Sequence, residues 1–123
     1  MLSIEAVLRG VGAALLCLGA FAGLVSAIGF YRFKNFYLRL HAATVGTIWG
    51  CVFPLIGASL ISVTMDELGE TKWFAAGASI VTAVIVFLLA PAGSHALARA
   101  VHKARVARVQ PCISDALDPN LCG

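Results

Sequence analysis

Three histidines, two arginines beside them and a set of hydroxyls are the residues of this chain that could do chemistry. His41, His95 and His102 carry imidazole nitrogens, and a pair of membrane histidines can hold a haem iron axially. His41 and His95, however, fall at the ends of apolar runs and not at their middle, and the chain has no CxxCH attachment motif. No cofactor and no metal site is therefore expected, and the histidines read as capping, water-exposed or interface groups. Nor does the sequence hold a carboxylate pair, a nucleophile–base arrangement or a phosphate loop, so no catalytic residue is assigned.

The helices of a proton pump or cation carrier need Asp, Glu, Lys or His at membrane depth. None occupies the middle of an apolar run here. What remains is Ser26, Thr44, Thr47, Ser59, Ser62, Ser79 and Thr82, whose oxygens can line a wet path. Such residues more often bond a carbonyl of their own helix. The chain is not expected to carry a cation alone.

These residues sit on elements that composition makes plain. Of 123 residues, 60% are hydrophobic and only 12% charged, with a mean hydropathy of +0.93. A soluble domain carries about 25% charged residues. No charge lies between Arg9 and Arg32, between Arg39 and Asp66, or between Lys72 and Arg99. Each gap exceeds the roughly 20 residues that cross the hydrocarbon core of a bilayer. The fold class is all-α, a polytopic membrane protein with three transmembrane helices near 8–30, 41–63 and 73–92. These form one transmembrane unit, 1–105, followed by a tail, 106–123. Val25-Ser26-Ala27 resembles a signal-peptide cleavage site, but Glu5 precedes Arg9 and the apolar run is too long, so retention of the first span is expected.

Seven basic residues fall in the first loop and the tail, against Arg9 and Lys72 on the opposite side. The positive-inside rule puts the N-terminus outside and the C-terminus in the cytoplasm. Cys17 and Cys51 lie within spans as packing residues, and Cys112 and Cys122, ten apart in the tail, are expected as free thiols. Gly19-x-x-x-Gly23 and Gly46-x-x-x-Gly50 place two glycines on one helix face, where another backbone can approach. Gly77 and Ser79 do so more weakly. These faces can serve packing within the chain, and beyond it packing against other chains.

Five of the eleven aromatic residues lie between Phe30 and Tyr37. Mixed with Arg32 and Lys34, they suit the membrane–water interface, with Tyr31, Arg32 and Phe33 as an anchor. The Gly-x-Tyr-Arg-Phe segment at Gly29–Phe33, the Arg-Leu-His-Ala-Ala-Thr run at Arg39–Thr44 and Ala-Pro-Ala-Gly-Ser-His-Ala-Leu-Ala-Arg-Ala at Ala90–Ala100 closely resemble the small MnhG/PhaG-type subunit of the multisubunit Mrp-type Na+/H+ antiporter family. The resemblance covers residues 1 to about 105.

That resemblance implies a small accessory subunit, without catalysis of its own, in a cell-membrane complex that exchanges cytoplasmic Na+ for external H+. Its partners would be other small subunits, large antiporter-like subunits and membrane lipid, with no nucleic acid. Related modules serve ion-pumping membrane hydrogenases and sulfur-reducing or formate-oxidising complexes, and this setting stays open. So do two readings of other classes: a self-assembling, holin-like membrane protein and a haem-bearing anchor. Pro91 belongs to the resembling pattern; it either ends the third helix or frees a carbonyl for function. Arg39, His41, His95 and Arg99 are expected to meet on the cytoplasmic face, docking the subunit or shaping an ion vestibule. Thr44 and Thr47 would add oxygens to a Na+ path.

Overall fold

In lipid a backbone must satisfy its own polar groups, and a long apolar segment does so as a helix. The computed structural model describes residues 2–107 and Asn120. Helix α1 runs Leu2–Arg32, with acidic Glu5 in its first turn and basic Arg32 in its last, each opposing the helix dipole there. Asn35 accepts a hydrogen bond from the Tyr37 N–H at 3.0 Å and starts α2, Phe36–Thr47. A π-helical turn, Ile48–Val52, joins α2 to α3, Phe53–Val63. A 3-10 turn, Asp66–Leu68, ends at Gly69, whose φ of 54° suits glycine, and leads into α4, Thr71–Lys103. Three stretches, Ser3–Arg32, Phe36–Val63 and Thr71–Lys103, are long and apolar enough to cross a membrane.

Several expectations are revised. The first connection is three residues, Phe33-Lys34-Asn35, and not about ten, because Asn35 caps a helix that takes up Phe36–Leu40. The middle span is not one uniform helix. Pro54 lies at the start of α3 and has no N–H to give the preceding turn, and the wider π turn sits immediately before it. Trp49 stacks on Phe53 across this turn, 4.6 Å between ring centroids at an interplanar angle of 1°. Finally, α4 does not stop at Pro91 but continues to Lys103. The tail residues Pro111, Cys112, Pro119 and Cys122 lie outside the described residues.

The middle span lies between the other two and packs against both. Its seam with α1 is antiparallel and made of glycines. A Cβ on Gly57 would stand 2.6 Å from the Gly12 carbonyl oxygen, and one on Gly50 would stand 3.0 Å from the Gly23 Cα. A Cβ on Gly19 would enter the Pro54 ring, and one on Gly46 would enter Ser26. Gly46, Gly50 and Pro54 recur every four residues, a row that drifts about 40° per step around a regular helix. The wider π turn offsets that drift and keeps the row facing α1. Both GxxxG pairs are thus used against each other within the chain, while Gly77 of α4 has open space beside it.

Hydrogen bonds pin this seam at each end. Ser26 donates to the Ala42 carbonyl at 2.5 Å. At the opposite end, the Arg9 guanidinium donates to Thr64 Oγ1 at 3.0 Å and to the Thr64 carbonyl at 2.5 Å, which caps α3. On the other side, buried Ser59 donates to the Ala76 carbonyl of α4 at 3.1 Å. The buried residues are small or mid-sized: Ala42, Val52, Ser59, Thr64, Ala76 and Ala83. Large apolar side chains such as Phe21, Leu24 and Phe74 face outward, toward lipid or protein.

Gly19→Ala should lower the melting temperature of the purified protein, at a cost of about 1–3 kcal/mol or more, because the rigid Pro54 ring cannot yield. Gly77→Ala, which meets nothing within 4 Å, should leave it unchanged or slightly raised. Thermal unfolding in detergent with both variants checks this; equal effects would contradict the seam.

Candidate functional site

A cavity of about 300 Å3 opens between α2 and α4 at the end of the molecule where α1 finishes. Tyr37, His41 and Thr44 line it from α2, and Pro91, Ser94 and His95 from α4. Successive turns of each helix present these residues to one seam, at spacings of three and four. Thr44 donates its hydroxyl hydrogen to the Leu40 carbonyl at 2.9 Å, so the 2.6 Å contact between Thr44 Oγ1 and Ser94 Oγ is made with the Ser94 hydrogen. This pair links the middle span to α4. Pro91 lies inside α4 and has no N–H to offer the Phe87 carbonyl one turn earlier.

The structure thus brings His41, Thr44, Pro91 and His95 together around one cavity. It does not bring Arg39 and Arg99 with them. Arg39 turns back to donate from Nε to the Phe33 carbonyl at 2.5 Å, closing the short connection at the end of α1. Arg99 stands exposed one turn beyond His95 and is not among the lining residues. Thr47 donates to the Ala43 carbonyl of its own helix at 2.9 Å and faces a second cavity, about 510 Å3, between α1 and α2. Tyr31, 87% exposed, lies at the rim of that cavity, and Arg32 and Phe33 follow it, exposed, where α1 ends.

Three contributors, Tyr37, Ser94 and Arg9, were not singled out from the sequence. Ser94 carried a signal, as the neighbour of His95 in the Ala90–Ala100 segment. Arg9 carried none: its partner Thr64 lies 55 residues away, and no periodicity links them.

The charge distribution is lopsided. Arg32, Lys34, Arg39, Arg99 and Lys103 surround the α2–α4 cavity end, and no Asp or Glu occurs between Glu5 and Asp66 or between Glu70 and Asp115. The opposite end holds Glu5, Asp66, Glu67 and Glu70, with Lys72 paired to Asp66 at 3.0 Å. Among the described residues no group of three or more His, Cys, Asp or Glu could hold a metal ion. The cavity offers hydroxyl, phenol and imidazole groups. It can hold water or an anionic group but has no carboxylate to neutralise a cation.

Thr44→Val and Ser94→Ala should each loosen α4 from the middle span. A double-mutant cycle on thermal stability should give a coupling of about 0.6 kcal/mol, the typical worth of an interhelical hydrogen bond in lipid. Zero coupling would mean the pair does not hold the seam.

A family model described as Na+/H+ antiporter subunit, PhaG/MnhG/YufB, matches residues 15–102, which takes in the second half of the first span, the whole middle span, nearly all of the third and every residue of the α2–α4 cavity. A UPF0091 protein of Rickettsia conorii is 37% identical over 90 residues, covering 73% of this chain and 77% of its own length. Proteins named antiporter subunit mnhG2 from Staphylococcus aureus strains JH9 and Newman are 32% identical over 93 residues, covering 76% of this chain. The match spans about 60% of the length of those Staphylococcus proteins. No solved structure matches the chain. With its family model, its relatives and its three membrane-spanning helices in accord, the chain belongs to the PhaG/MnhG/YufB family of Na+/H+ antiporter subunits.

Proposed function

We propose that the chain is a non-catalytic subunit of a multisubunit monovalent-cation/proton antiporter of the cell membrane, and that its work is assembly and shaping of the path at the cytoplasmic face. The observation that carries this reading is how its polar groups are used. The hydroxyls of Ser26, Thr44, Thr47, Ser59, Ser62 and Thr82 all donate to carbonyls within the chain. No carboxylate or lysine lies in the middle of any span; Glu5 and Lys72 sit in the first turns of α1 and α4. A chain built this way has no group to take up and release a proton at mid-depth, so the transported charges must pass over residues of larger partner subunits.

The cation-rich end is taken as cytoplasmic, from seven basic residues against two. Arg39 there serves docking indirectly, by holding the α1–α2 connection against the Phe33 carbonyl. His41, His95 and Arg99 form the face presented to a neighbouring subunit. Thr44 and Thr47 stand three residues apart on α2, Thr44 at the α2–α4 cavity and Thr47 at the α1–α2 cavity. With their hydrogens committed to backbone carbonyls, their oxygens remain as acceptors toward a Na+ path completed by partners. The Na+/H+ antiporter description of the family favours a plain antiporter as the host over a redox-driven pump.

Arg39→Ala should reduce recovery of partner subunits with the tagged chain and lower Na+-dependent proton movement in everted vesicles in proportion, while the isolated chain keeps its helix content. An Arg39→Ala chain that assembles and supports exchange as the wild type does would sink the docking role.

A further inference from the structure

Further along the seam between the middle span and α4, a second, wholly apolar groove of about 350 Å3 lies between the π turn and α3 on one side and α4 on the other. Val52, Phe53, Ile56, Ile80, Val84 and Phe87 are among its walls. It follows the same rows of side chains, Thr44 leading to Ile48 and Val52 on one helix and Pro91 to Leu88 and Val84 on the other. The two follow one another along the seam as a cleft in two parts, polar at the cation-rich end and greasy below it. Its far end lies just short of where Ser59 bonds the Ala76 carbonyl and buried Ala76 packs α4 onto α3.

From this geometry we infer that the cleft is a binding site for one phospholipid with an anionic headgroup. Its length suits one leaflet. From His95 to Ile80 the helix rises about 22 Å, close to half of the roughly 40–45 Å bilayer counted with its headgroups. A transmembrane helix of a partner would need a groove running the full depth, and this one ends at Ile80, about 14 Å of helix short of the start of α4 at Thr71. Its charge suits an anion: Tyr37, His41 and His95 line the mouth as hydrogen-bonding groups. Arg99 lies one turn beyond His95 and Lys103 one turn further, and no Asp or Glu of the spans stands at that end. The two tail acids, Asp115 and Asp118, are the carboxylates nearest to it in sequence. Basic pockets between transmembrane helices on the cytoplasmic side are seats for anionic lipid headgroups. The acyl chains would cover Phe53, Val84 and Phe87, which otherwise remain half-exposed along the seam.

The inference does not depend on the docking role proposed above, and one preparation reads both. The assembled complex, carrying wild-type chain or Val84→Trp or Leu88→Trp, is purified in gentle detergent. Its retained phospholipids and its subunits are then measured by mass spectrometry. Both substituted residues are more than half exposed, Val84 at 52% and Leu88 at 64%, so tryptophan fills the groove without entering the packed seam. An anionic phospholipid should persist with the wild type through delipidating washes and fall at least tenfold in both tryptophan variants. Arg99→Gln should shift the retained species from anionic toward zwitterionic headgroups. Three results would overturn the site: no phospholipid enriched with the wild type, equal retention in the tryptophan variants, or loss of a neighbouring subunit from those variants with lipid content unchanged. Loss of subunits in Arg39→Ala with lipid retained would uphold both proposals.

Discussion

Everything in this molecule depends on how closely α1 and the middle span approach each other. Lipid supplies no hydrophobic drive for two apolar helices to associate, so contact must come from close backbone packing and hydrogen bonds. Gly12, Gly19 and Gly23 on one side meet Gly57, Pro54 and Gly50 on the other, and at most of these points a methyl group would not fit. The π turn Ile48–Val52 keeps that row in line. Arg9 on Thr64 and Ser26 on Ala42 hold the two ends. Because the α1 seam consumes the small residues of the middle span, α4 is joined differently, through Ser59 to Ala76 and Thr44 to Ser94.

That division has a functional consequence. The α1 seam is tightly packed along its glycine row, with one cavity beside it between α1 and α2, and the α4 side retains cavities and exposed apolar side chains. α1 and the middle span form a closely packed pair, with α4 laid against the middle span. A subunit that has no charge of its own at mid-depth can still decide where its neighbours sit.

Much of this was legible in the residues. The charge gaps marked three spans, and the Arg39–Thr44 and Ala90–Ala100 segments marked the family. Those same segments contain five of the six polar-cavity residues, His41, Thr44, Pro91, Ser94 and His95, and all of these but Ser94 were singled out from the sequence. Local detail was less legible because it depends on contacts far apart in the chain. Asn35 turns the aromatic loop into a three-residue connection by capping α2, a role its polar neighbours concealed. Pro91 reads as a helix end, yet α4 runs on to Lys103, since a proline in a membrane helix costs one backbone bond and not the helix. Arg39 was grouped with His41 from sequence proximity. On a helix two residues apart means nearly opposite faces, so the side chain reaches Phe33 instead. The GxxxG pairs announced close packing but not with what; only their mutual contact settles that.

The most direct test of the subunit reading is to tag this chain, solubilise the membrane in gentle detergent and identify by mass spectrometry what accompanies it. Large antiporter-like subunits and the other small subunits are expected in fixed proportion to the chain. A lone, monodisperse chain or a homo-oligomer free of other proteins would contradict it.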